Sequence, residues 1–105
     1  MCVQPGEIYW AQLQYGTAND LRPCIVLEDH KATVSVVRIS SALDLHNPLI
    51  HFWIDEQCPD FVVTGLRKTC FCDGSKIFEI STGRLGKRLG QLERGLARDF
   101  RTWMG

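Results

Sequence analysis

The stretch 6–29 constrains this chain most, because it dictates two strands and the join between them. It reads Gly-Glu-Ile-Tyr-Trp-Ala-Gln-Leu, then Gln-Tyr-Gly-Thr-Ala-Asn-Asp-Leu, then Arg-Pro-Cys-Ile-Val-Leu-Glu-Asp. Glu7–Leu13 is dense in aromatic and apolar side chains and fits a strand buried on both faces. Gln14–Leu21 carries Gly16, Asn19 and Asp20, the residues of a turn, and predicts a loop. Cys24–Leu27 is a short apolar run of strand type. Proline disfavours helix at the residue before it and suits the start of a strand. Pro23 therefore fixes an extended backbone at Arg22, at the mouth of the loop. A cation held in that way suits a phosphate group.

The remainder is a series of short β-type runs. Asp29-His30-Lys31 makes a polar turn, and Thr33–Ser40 follows as a β-branched strand with valines on both faces, which calls for cover on both sides. Leu49–Ile54 alternates, with Ile50, Phe52 and Ile54 on one face and His51 and Trp53 on the other. Phe61–Thr64, Cys70–Cys72 and Ile77–Ile80 are three further runs, parted by Gly65, Asp73-Gly74 and Gly83. Asp73-Gly74 has the composition of a hairpin turn. From Leu92 the period changes: Leu92, Leu96, Phe100 and Trp103 recur at helical spacing, with Arg94, Arg98 and Arg101 elsewhere on the surface. Six or seven short strands and one terminal helix predict a mainly β fold, a small barrel or strongly bent sheet capped by a C-terminal helix. The 105 residues make one domain spanning 1–105.

The formal charge is zero only by cancellation. Residues 1–62 hold three basic and eight acidic side chains, and residues 63–105 hold nine basic and four acidic. A basic face for a polyanion is thus compatible with the neutral total. The five cysteines are odd in number and lack Cys-x-x-Cys spacing. With no basic-then-apolar leader and no apolar run near the ~18 residues of a membrane span, they predict a cytoplasmic protein with reduced thiols. A zinc site from His51, Cys58, Cys70 and Cys72 lacks recognisable ligand spacing, and buried small hydrophobes are the simpler reading. No metal or other cofactor is expected.

A Gly-acidic-Ile-aromatic strand, a loop, and Arg-Pro leading into an apolar strand resemble the start of the MazF/PemK (Kid-like) family of toxins from type II toxin–antitoxin pairs. The match continues through Thr64–Asp73, Ile77–Ile80 and Gly83–Leu92, and covers nearly the whole chain from Gly6. Gly86-Lys87-Arg88-Leu89 is similar to the Kid-like branch in particular. The resemblance implies an SH3-like barrel and a metal-independent endoribonuclease that cuts single-stranded RNA through the substrate's own 2′-hydroxyl. It also implies a homodimer with the RNA groove across its interface, and a cognate antitoxin that fills the groove.

The resemblance assigns residues as well. Arg22 matches the Arg-Pro arginine and is expected to stabilise charge on the phosphorane; the plainer reading pairs it with Asp20 or Glu28. Ser40 takes the place of a threonine or serine that donates to a phosphate oxygen, with Ser41 beside it. Asp20 stands near the place of a carboxylate that many members carry before Arg-Pro, in a loop one residue shorter than the common form. The Kid-like branch has a catalytic arginine and aspartate at positions that here hold Asp73 and Ser75, so only a local shift of register gives Asp73 that role. The general base is left unassigned. Arg67, Lys68, Arg84, Lys87 and Arg88 form the basic cluster of the positive half. Tyr15 and Trp53 are the aromatics expected to stack on unpaired bases. His30, His46 and His51 match no family position. The alternative is a catalytically degenerate SH3-like module that binds RNA or protein without cutting it.

Overall fold

The computed structural model describes residues 3–15, 18–42, 47 and 50–105. Six strands form one antiparallel sheet: β1 (Glu7–Tyr15), β2 (Ala18–Asp29), β3 (Thr33–Ser40), β4 (His51–Ile54), β5 (Cys70–Ser81) and β6 (Leu85–Gln91). They lie in the order β4-β5-β3-β2-β1-β6, and a single helix α1 (Arg94–Met104) ends the chain. The fold is mainly β with a C-terminal helix, as the sequence predicts. The sheet is not closed, however, because the edge strands β4 and β6 are not hydrogen-bonded to each other. On the β6 side the 3-10 turn Val62–Thr64 packs where a barrel would have its closing ladder. A β-carbon added to Gly90 of β6 would lie 2.1 Å from the Val63 carbonyl oxygen.

Burial on both faces of the central strands holds as expected. Val34 and Val36 of β3 join Cys24, Val26, Tyr9, Ala11 and Leu13 in one buried cluster. Val37 and Ile39 join Ile8, Ile25, Phe52, Ile54 and the helix residues Leu96 and Phe100 in the other. Trp103 locks the helix down: its indole N–H donates to the Ile50 carbonyl at 3.1 Å, and its ring packs on Phe52 and Phe100.

Four local expectations are corrected. The predicted loop Gln14–Leu21 is mostly strand, since β1 and β2 stay paired out to Tyr15 and Ala18. Phe61–Thr64 is a turn rather than a strand: the Thr64 hydroxyl and N–H both donate to the Phe61 carbonyl, at 2.6 and 3.0 Å. Gly65, at φ +73°, then ends the turn in the left-handed region. Asp73-Gly74 makes no hairpin. Asp73 instead accepts from the Ser75 N–H and hydroxyl, at 2.9 and 2.7 Å, and β5 bulges there before it continues. Val37 of β3 faces Ile77 and Ile39 faces Cys72, so four residues of β5 oppose Arg38 alone. The two runs Cys70–Cys72 and Ile77–Ile80 are therefore one strand. The basic stretch Gly86–Leu89, to which the sequence assigns no element, lies in strand β6, paired with β1.

Candidate functional site

A cleft of about 650 Å³ opens between the first half of β2 and the end of β3. One wall comes from Arg22 and Pro23 of β2 with Arg38 and Ser40 of β3; Ser41 follows on the same side. The facing wall comes from Arg67 and Lys68, after the 3-10 turn, and from Lys87 and Arg88 of β6. Trp10, Ile39, Leu66, Cys70 and Leu89 supply the apolar lining. Six cationic side chains thus line one cavity, and among the described residues no aspartate, glutamate or histidine does.

The sequence dictates how each cation is held. Arg22 lies opposite Ala11 in the β1–β2 ladder and Pro23 opposite Trp10, so its backbone is extended as Pro23 requires. The β2–β3 ladder runs through Val26–Val36, Ile25–Val37 and Cys24–Arg38, and Arg22 and Ser40 each lie two residues beyond its end. Arg22 Nε donates to the Asp20 carboxylate at 2.8 Å, with the arginine side chain 51% exposed. An exposed pair of this kind contributes only about 0–1 kcal/mol. Its effect is orientation: with Nε engaged, the two terminal amino groups are left for another acceptor. Ser40 Oγ accepts the Ala42 N–H at 3.2 Å, and its own proton is taken by no acceptor among the described residues.

Arg88 is anchored at two points, donating to Glu7 at 2.5 Å and to the Gln91 side-chain oxygen at 2.6 Å. Burial works to raise the Glu7 carboxyl, but the hydrogen bonds from Arg88 and from the Gln4 N–H outweigh it and hold the group below its ordinary value. Arg67, Lys68 and Lys87 have no acidic partner among the described residues, so their charge is uncompensated. Cys70 donates its thiol to the Lys68 carbonyl at 3.0 Å, and burial raises its pKa.

The cleft thus gathers Arg22, Ser40, Ser41, Arg67, Lys68, Lys87 and Arg88 from the residues nominated by sequence, with Asp20 in contact through Arg22. It omits others. Asp73 lies in the β5 bulge, 3.6 Å from His51 Nε2, and lines no part of the cleft. His51 is not an outward-facing residue: its side chain is 7% exposed, stacked on Phe71, and its Nδ1 accepts the Asn47 N–H. Arg84 reaches back to the Gln12 carbonyl at 3.5 Å, outside the cleft. Trp53 sits on the edge strand β4, opposite Phe71. The Tyr15 side chain and His46 lie outside the described residues. Arg38 and Trp10 line the cleft without being nominated by sequence. Alternation marks Arg38 only as one member of a strand, and Trp10 stands in a run that reads as buried throughout. Among the described residues no group of three or more His, Cys, Asp and Glu side chains is placed to hold a metal ion. No described helix is long and apolar enough to cross a membrane.

Fold and cleft together define a small β-sheet protein with a recess suited to a polyanion. The chain belongs to the family of PemK-like, MazF-like toxins of type II toxin–antitoxin systems, whose model matches residues 4–102. No curated protein sequence matches it. Among solved structures it is similar to a mycobacterial endoribonuclease in complex with its cognate antitoxin, at 19% identity over 98% of this chain and 91% of that one, with a TM-score of 0.70. It is also similar to the Mycobacterium tuberculosis toxin MazF-mt6, at 20% identity over 94% and 92%, with a TM-score of 0.72. A further mycobacterial endoribonuclease shares 18% identity over 94% and 84%, with a TM-score of 0.65. At such identities the likeness is one of fold.

Proposed function

We propose that the protein is a metal-independent endoribonuclease that cleaves single-stranded RNA in this cleft, as the toxin of a toxin–antitoxin pair. The observation that carries the reading is the convergence of Arg22 and Ser40 in a cavity lined by six cations and, among the described residues, no acid. Transesterification by the 2′-hydroxyl needs charge stabilisation on the phosphorane more than it needs a protein nucleophile. Arg22 offers its free guanidinium edge to two phosphate oxygens, and Ser40 donates its hydroxyl proton to a third acceptor. Asp20, in contact with Arg22, orients the guanidinium toward the phosphate. Arg67, Lys68, Lys87 and Arg88 neutralise the flanking phosphates. An antitoxin with an acidic segment matches the same charge, and a homodimer extends the groove, as family membership supports; the protein acts in the cytoplasm.

The test is cleavage of single-stranded RNA in the presence of a chelator by wild type, R22A and R22K. Wild type should cut, and R22A should be slower by about 100-fold or more. Equal cleavage by both, or none by either, sinks the proposal. One observation favours a second reading: no acid or histidine lines the cleft among the described residues. A module that binds RNA without cutting it predicts salt-sensitive affinity and intact substrate.

A further inference from the structure

Three tryptophans occupy three different settings. Trp103 is held by a hydrogen bond to Ile50 and by the rings of Phe52 and Phe100. Trp53 stands on the edge strand β4, outside the cleft. Trp10 is half-buried in the cleft lining. Among the described residues no aromatic ring meets Trp10, and no acceptor takes its indole N–H.

The backbone presents this side chain by a specific device. Tyr9 pairs with Arg88 and Ala11 with Leu85, with a shift of register between them. One residue of β1, Trp10, therefore faces two of β6, Gly86 and Lys87. Such a bulge bends a strand and re-aims the side chain beside it. Glycine at 86 permits the close approach: a β-carbon there would lie 3.3 Å from the Trp10 carbonyl oxygen and 3.5 Å from the Trp10 β-carbon. Lys87, the other residue of the bulge, also lines the cleft and has no acidic partner among the described residues. On the other side Trp10 pairs with Pro23, one step from Arg22.

We propose that Trp10 and Lys87 form a nucleotide subsite next to Arg22, in which one unpaired base stacks on the indole and its phosphate meets the ammonium. The inference rests on the reading of the cleft as an RNA site and adds a position at which the protein holds a base. Stacking accepts every base but weights them by the strength of the contact, so this subsite contributes affinity and a graded preference.

The experiment measures binding of a series of short single-stranded oligoribonucleotides, each lacking one base, to wild type, W10L, W10F and K87A. Each probe carries a 2′-deoxy sugar at any linkage the protein cuts. Wild type should bind about 5- to 150-fold more weakly when one position loses its base. W10L should show no such dependence on position, W10F should keep part of it, and K87A should weaken all probes alike. In a W53F/W103F protein, Trp10 is the single remaining indole, and its fluorescence should be quenched by the intact oligonucleotide. That readout holds even if W10L does not fold. Wild type that binds RNA with no positional dependence, or W10L that keeps it, or unquenched fluorescence on binding, overturns the subsite alone. Wild type that binds no oligonucleotide overturns the reading of the cleft itself.

Discussion

Gly65 lies against the Leu89 backbone so closely that a β-carbon at 65 would come within 2.1 Å of the Leu89 carbonyl oxygen. Gly65 also has φ +73°, so any side chain there is opposed twice, by its own backbone and by β6. The contact fixes the residues that follow, Leu66 to Lys68, as a wall of the cleft.

G65A should therefore cost more stability than G6A. Gly6 has φ +90°, but a β-carbon placed there would meet no atom within 4 Å, so alanine faces only the left-handed penalty of roughly 1–2 kcal/mol. Urea unfolding of the two variants gives the comparison. Equal midpoints would show that β6 and the turn are not in contact. G65A should also weaken RNA binding, because Arg67 and Lys68 lose their fixed position.

The charge of the cleft sets its response to salt. The logarithm of affinity for single-stranded RNA should fall linearly with the logarithm of salt concentration, by about 0.7 for each phosphate neutralised. K68A should lower that slope by about 0.7, whereas K76A, away from the cleft, should leave it unchanged. Titrations at several salt concentrations decide the point.

Acid should expose the bond between Ser75 and Asp73. The Ser75 hydroxyl and N–H, opposed by some burial and helped by His51 and Lys76, hold the Asp73 carboxyl below its ordinary value. A carboxyl lowered by folding contributes stability that is complete above its unfolded pKa, about 3.9, and is lost as pH falls through the folded value. S75A removes the hydroxyl from this set. Its stability deficit against wild type should be present at pH 6 and should shrink as the pH falls below the ordinary carboxylate range. A deficit that does not depend on pH would refute the assignment.

The thiols should separate by burial. Cys24 is pushed up to about 12 by its burial, against a small opposing effect of Arg38, and Cys72 is raised well above the ordinary thiol value for the same first reason. The thiolate is the reactive form. Iodoacetamide at pH 8 should therefore label Cys58, which is half-buried, well before Cys24 and Cys72, as peptide mapping would show. Labelling of all three at one rate would contradict the packing.

Strands that alternate or bury both faces are legible in the residues. Thr33–Ser40 lies where its valines put it, and Leu92, Leu96 and Phe100 mark the apolar side of the chain end that becomes α1. Arg-Pro and the serine that closes β3 identify one wall of the cleft. The opposite wall is legible only as a cluster of charge, because Gly86, Lys87, Arg88 and Gly90 lack the apolar alternation of a strand. Asp73-Gly74 misleads for a related reason: the aspartate is satisfied by Ser75 two residues on, which a turn and a bulge do equally well. Trp10 is hidden by its neighbours, since Ile8, Tyr9 and Ala11 are buried and only the register with β6 distinguishes it.

The β1–β6 pairing sets an order of events during synthesis. Tyr9 is made well before Arg88, yet they are partners across one ladder. The wall of the cleft that carries Lys87 and Arg88 therefore exists only once β6 has docked on β1.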